Sequence, residues 1–326
     1  LLAGVGVVGG VLNLGQVREF YAAVSGEGIK GPSGRPVRIE MFAHGALCMA
    51  ISGKCYLSLQ TYGASANRGA CFQLCRRGYE VTDLETGTQL NIDNKYIMSP
   101  KDLCTIEFMD KIIDAGVKVF KIEGRARSAE YVKRCAQCYR KAADAVCEGT
   151  YTPELAASLK AELSEVFNRG FWDGYYQGAR LGEWSEVYGS QATRKKVYCG
   201  KVTNWFDRIG VAEIAVESSP LEVGDQCMAI GSKTGMIEFT VNDLRVDMKQ
   251  AERAEKGVRC SVAIVPENRG PRDGDVELSA SSGCCADQAA APDGGNTTED
   301  GQVTSEEKIP VRLRRGDKIY IWQKAN

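Results

Sequence analysis

The chain has 326 residues, of which 44% are hydrophobic and 25% charged, and its formal net charge is −1. Such a composition suits a globular protein with room for a sizeable core and two domains. It excludes a global basic field that would gather nucleic acid, so DNA is not an expected partner and any RNA contact must come from local patches. No run of about 18 apolar residues offers a membrane span.

In chain order, "LLAGVGVVGGVLNL" begins on Leu1, lacks the basic start of a secretory signal, and reads as a start inside a domain. Its "VGVVGGVL" is a Gly-loosened strand. Gly4, Gly6 and Gly9 formally spell a dinucleotide fingerprint, but one without the strand before it and the helix after it that such a loop needs. Leu14, Val17, Phe20, Tyr21 and Val24 recur at helical spacing, and "VRIEMFAHG" alternates as a strand does. After "KYIM", Ser99 and Pro100 look like a helix cap and first turn. "VKVFKIEGR" is a further strand, and "SAEYVKRCAQCYRKAADAVCEG" a long amphipathic helix ending near Gly149. Strand–helix alternation over 1–150 implies an α/β fold with parallel strands, whose chemistry gathers at strand C-termini. Residues 151–195 read as a helical and aromatic connector. From Lys196 to 326, short alternating segments broken by Gly, Asp and Pro predict a small antiparallel β-barrel, with a disordered acidic insertion near 268–307.

Thirteen cysteines are too few for a disulfide scaffold of this length, so a reducing, cytoplasmic setting is expected. Four of them stand as Cys48-x6-Cys55-x15-Cys71-x3-Cys75. Thiolates are the soft ligands that iron–sulfur clusters and zinc select, and buried free thiols are the plain alternative. Gly53, Gly63 and Gly69 permit tight loops there, and Cys104 is a fifth candidate. Cys135, Cys138 and Cys147 fall on one helix, and Cys199, Cys227 and Cys260 on strands, as small core residues; Cys284 and Cys285 lie in the insertion. His44, the one histidine, is either a structural hydrogen-bonding group or a general acid–base. Lys121, Glu123 and Arg125 alternate at a strand end and would share one side of a polar pocket, with Arg125 able to fork onto a carboxylate or phosphate. Arg68, Arg76, Arg77, Lys101, Arg127, Lys133 and Arg134 gather around these motifs as candidate phosphate contacts, and Tyr56, Phe72 and Tyr79 as a stacking face for a base.

The blocks "EMFAHGALCMAISGKCYLS", "NRGACFQLCRR", "SPKDL" and "GVKVFKIEGRARSAEYV" closely resemble the U32-type, collagenase-like peptidase family. The trailing "GKVTNWFDRIGVAEI" resembles its branch that hydroxylates the wobble uridine of tRNA to 5-hydroxyuridine. The resemblance implies a TIM-like barrel, its first half preceding Leu1, and a 4Fe–4S cluster on Cys48, Cys55 and Cys71. The fourth ligand is Cys75 in the tRNA branch and Cys104 in ubiquinone-related members. It also implies prephenate as hydroxyl donor, for whose carboxylates Arg125 and Lys121 are candidates, with Glu123 or His44 moving protons. Where the family carries Ala-Arg-Glu-Leu, this chain has Gly9, Gly10, Val11 and Leu12. A peptidase and a non-catalytic cluster-bearing protein are the alternatives.

Overall fold

The computed structural model describes residues 5–8, 12–48, 55–65, 68, 70–92, 100–125, 127–179, 182–185, 189–265 and 312–325. The chain divides into two compact units, Leu1–Thr193 and Arg194–Asn326. The expected insertion near 268–307, Ser99, Cys284 and Cys285 lie outside the described residues, as do Gly4, Gly9, Gly10, Val11, Gly53 and Gly69.

The first unit is mixed α/β. Its spine is β2 (Arg38–Ala46), which runs parallel to β1 (Val5–Val7). Ile39, Met41 and Ala43 alternate along β2 and are fully buried, as a strand with one covered face requires. Gly6 lies within β1, paired with Ile39, so it forms no phosphate loop. Helix α1 (Leu14–Gly26) starts on a capping box in which Asn13 and Gln16 satisfy each other's backbone N–H, worth about 1 kcal/mol. After β2 come the short helix α2 (Tyr56–Tyr62), a 3₁₀ turn (Leu74–Arg76) and an antiparallel hairpin of β3 (Tyr79–Thr82) and β4 (Gln89–Ile92).

The expected helix at Pro100 is replaced by a strand. Pro100 forms an isolated bridge to Trp184, and β5 (Asp102–Cys104) pairs antiparallel with the end of β2. Asp102, Leu103 and Cys104 are all buried, and this tertiary gain overrides the local Ser-Pro signal. Helix α3 (Met109–Asp114) starts only later, before β6 (Val117–Ile122), which lies parallel to β2 on its other edge. Helix α4 (Ala129–Glu148) buries Tyr131, Cys135, Cys138, Tyr139 and Ala142 on one face and ends at Gly149 in the left-handed region (φ 72°). Helix α5 (Pro153–Ser164), capped by Thr152, packs its Leu159 and Leu163 into the same core, and β7 (Phe171–Trp172) joins β5 in parallel.

A TIM-like half-barrel would be all parallel. Here β5 opposes β2, and among the described residues the five-stranded sheet does not close.

The second unit is an eight-stranded antiparallel sheet. Its strands are β8 (Arg194–Phe206), β9 (Val211–Val216), β11 (Gln226–Gly231), β12 (Gly235–Thr240), β13 (Leu244–Val246), β14 (Lys249–Gln250), β16 (Arg259–Ala263) and β17 (Lys318–Lys324). They stand in the order β12-β11-β17-β8-β9-β16-β13-β14, and β10 (Leu221–Glu222) pairs separately with β15 (Arg253–Ala254). The alternation of Ala212, Ile214 and Val216 with half-buried neighbours shows why β9 has one core face. The expected small barrel is therefore an open sheet among the described residues, because no pairing joins β12 to β14. Cys199, Cys227 and Cys260 are buried in its core, as their apolar context predicts.

Candidate functional site

Cys48 follows β2 by two residues, Cys55 caps α2, and Cys71 and Cys75 flank and enter the 3₁₀ turn. Cys48 and Cys71 are exposed, while Cys55 and Cys75 are half-buried. The Cys75 thiol is pushed up chiefly by burial, against the pull of Arg76, with the neighbouring cysteines adding a smaller push. The Cys55 thiol is instead lowered, because its sulfur accepts the Ser58 backbone N–H at 3.5 Å. Left-handed Gly63 (φ 59°) ends α2. Among the described residues, no three His, Cys, Asp or Glu side chains stand close enough to hold a metal ion as arranged. The donor chemistry of four thiols nonetheless fits a thiophilic metal or cluster, whose loading would draw the sulfurs together.

Cys104 belongs to a different neighbourhood. It lies in β5 opposite His44, is buried with its sulfur 3.9 Å from the Tyr139 hydroxyl oxygen, and burial pushes its thiol up to about 11.

His44 sits in an aromatic cage. The rings of Tyr139, Phe171 and Tyr131 lie 5.5, 5.6 and 5.9 Å from it, and Tyr139 Oη is 3.3 Å from Nδ1. Burial, then the positive charge of Arg127, lowers its pKa to about 3. An imidazole that stays neutral and shielded from water is poorly placed to shuttle protons near pH 7. The Tyr139 hydroxyl also donates to the Ala43 carbonyl (2.9 Å), which Thr105 Oγ1 contacts at 3.0 Å.

The strand β6 stops at Ile122, so Lys121, Glu123 and Arg125 do not share one strand face. Lys121 is exposed with its Nζ 5.9 Å from the Phe42 ring centre. The Glu123 carboxylate accepts the Arg125 backbone N–H at 2.8 Å, and the Glu123 N–H donates to the His44 carbonyl at 2.9 Å. Arg125 is exposed.

A buried charge centre stands nearby, and motif reading missed its arrangement. Asp102, 1% exposed, accepts Arg169 Nη1 on Oδ1 at 3.1 Å. Its Oδ2 faces Arg127 Nη2 at 3.7 Å and receives no hydrogen bond among the described residues. The Phe167 ring lies 4.3 Å from the Arg127 guanidinium and 5.1 Å from that of Arg169. Arg169 is lowered by burial, with Asp102 opposing and the positive charges of Arg76 and Arg127 adding to the shift. Two guanidinium groups therefore share the Asp102 carboxylate, and the positive charge of Arg76, next to Cys75 in the chain, acts on Arg169. The sequence marked Arg127 as a candidate phosphate contact and Asp102 only as part of the "SPKDL" block; Arg169 carried no signal.

Of the other candidate RNA contacts, Arg134 pairs with Glu162 and Glu165, Lys101 with Glu183, and Arg77 donates to the Tyr62 hydroxyl at 3.1 Å. Tyr62 packs on Phe72 at 4.8 Å, Tyr56 and Phe72 are exposed, and the Tyr79 hydroxyl is tied to the Leu74 carbonyl at 2.7 Å.

Residues 27–186 match the sequence family described as peptidase family U32. A Porphyromonas gingivalis protein named collagenase is 55% identical over 253 residues, 78% of this chain and 61% of its own length. A 23S rRNA 5-hydroxycytidine synthase of Escherichia coli is 38% identical over 178 residues, 53% of this chain and 25% of its own length. A tRNA hydroxylation protein of Bacillus subtilis is 33% identical over 174 residues, 52% of this chain and 41% of its own length. The chain spans about three fifths of the length of the collagenase-named relative.

Proposed function

Since residues 27–186 make this chain a member of peptidase family U32, we propose that it serves an RNA-hydroxylating enzyme, acting on tRNA uridine with prephenate as the hydroxyl donor. The names of the Bacillus subtilis and Escherichia coli relatives support the RNA class. The single observation that carries the site is that Cys48, Cys55, Cys71 and Cys75 all fall between the end of β2 and the 3₁₀ turn, none of them fully buried, while Cys104 is sealed in the sheet. We assign Cys48, Cys55, Cys71 and Cys75 as the ligands of a 4Fe–4S cluster. Bound there, such a cluster would supply electron transfer, or a Lewis-acidic iron if one thiolate left.

The chain's own residues divide the remaining work. Arg127 and Arg169, half-buried and sharing a single carboxylate, are better set to hold an anionic donor than exposed Arg125 and Lys121. Glu123, half-buried after β6, remains the candidate proton carrier. We assign neutral, caged His44 to positioning the end of β2 rather than to proton transfer.

Mass spectrometry of tRNA nucleosides from a strain lacking the gene tests this. Restoration of 5-hydroxyuridine by the gene, but not by its C48S or C71S variants, is expected. Equal restoration by those variants would remove the cluster from the reaction. The collagenase-named relative favours a second reading, a peptidase. Peptide hydrolysis by purified protein at a rate independent of iron would favour it. With its one histidine buried and neutral, the chain offers no solvent-facing histidine base for a serine or cysteine protease.

A further inference from the structure

The second unit carries a groove of about 590 Å³, within the roughly 300–1,000 Å³ typical of ligand sites. Arg259, Arg312, Arg314 and Arg315 line it, together with Trp205 and Thr203. Three elements supply these side chains: the end of β8, the first residue of β16, and the segment leading into β17. The β8–β9 register shifts between Val202 and Asn204, and this bulge at Thr203 re-aims the strand end that bears Trp205.

The charge balance is one-sided. Glu213 also lines the groove, but its Oε2 accepts the Thr203 hydroxyl at 2.5 Å. Asp207 accepts Trp205 Nε1 at 2.7 Å and stands 3.8 Å from Arg312. Among the described residues, Arg259, Arg314 and Arg315 have no ion-pair partner. The Asp207 bond fixes the indole, which is half-buried against the core and lines the groove. A row of guanidinium groups beside a held aromatic ring suits a chain that alternates phosphates with flat bases.

We infer that this groove binds single-stranded RNA, its arginines taking successive phosphates and Trp205 stacking on a base. The inference rests on the RNA reading above and extends it to a second place on the chain, outside the residues matched by the family.

The test is fluorescence anisotropy of the whole chain with a labelled, unstructured oligoribonucleotide of about 12 residues. An abasic oligomer of equal length serves as the second probe. The R314Q/R315Q variant is expected to bind about tenfold more weakly, with the slope of log K against log salt shallower by about 1.4. Both residues are exposed, so thermal melting should not change. Trp205→Leu is expected to lose about fivefold or more, and Trp205→Phe to recover most of it. Wild type and R314Q/R315Q binding with equal affinity and slope would overturn the groove alone. Equal wild-type affinity for the abasic oligomer would overturn RNA as its ligand. Failure of the wild type to bind any RNA at low salt would overturn both the groove and the RNA reading.

Discussion

His44 gives the sharpest physical test of the first unit. It is the chain's only histidine, so one imidazole titration is unambiguous. Its pKa is 6.5 in an exposed peptide and about 3 in the fold, lowered by burial and then by Arg127. A depressed histidine value means that the unfolded chain binds the proton and the folded chain does not. Stability is therefore lost as pH falls below about 6.5, at up to about 1.4 kcal/mol per pH unit, and the loss levels off near pH 3. Integrated from about pH 7 to pH 5, the loss is about 2 kcal/mol. Urea unfolding at both pH values should show it in the wild type, while His44→Asn should lose that difference whatever its stability at pH 7. The imidazole proton resonance should stay still over the same range in the folded protein. A resonance that titrates near 6.5, or equal pH slopes for wild type and variant, would refute the caged neutral state.

Four further outcomes follow from the geometry. Asp102→Asn leaves Arg127 and Arg169 facing each other without their carboxylate, and should lower unfolding stability by about 3–5 kcal/mol in urea titration. Gly45→Ala places a Cβ 2.8 Å from Glu123 Cβ at φ +124°, so it should cost about 1–3 kcal/mol by the same assay. After anaerobic reconstitution, Cys75→Ser should bind less iron and sulfide than the wild type, whereas Cys104→Ser should bind as much. In the unloaded protein at about pH 8, Cys55 should alkylate before Cys75, and Cys104 should resist, by mass mapping of labelled peptides.

Much of the first unit was legible because its elements are periodic. β2, β6, α1 and α4 stand where alternation or helical spacing puts them. Pro100 misled because a local cap signal competes with burial of Asp102, Leu103 and Cys104, and that burial depends on strands far away in sequence. The Cys spacing singled out one segment but could not separate Cys75 from Cys104. That distinction is a matter of which sulfurs face one another across turns. The Lys121–Arg125 alternation failed for a simpler reason: the strand ends at Ile122, and the period ends with it. Asp102 with Arg127 and Arg169 was illegible, since nothing local in a sequence announces a pairing between a strand, a loop and a distant turn.

The position of β17 has a consequence for how the second unit comes into being. It lies between β8 and β11, yet it follows the other seven described strands of the sheet in the chain. Until it emerges from the ribosome, β12 and β11 have no strand pairing with the other five described strands, and two inner edges stand open to water. A chain stopped short of Lys318 would lack the keystone and leave two sticky half-sheets, so nascent copies of this unit are candidates for chaperone custody until β17 has emerged.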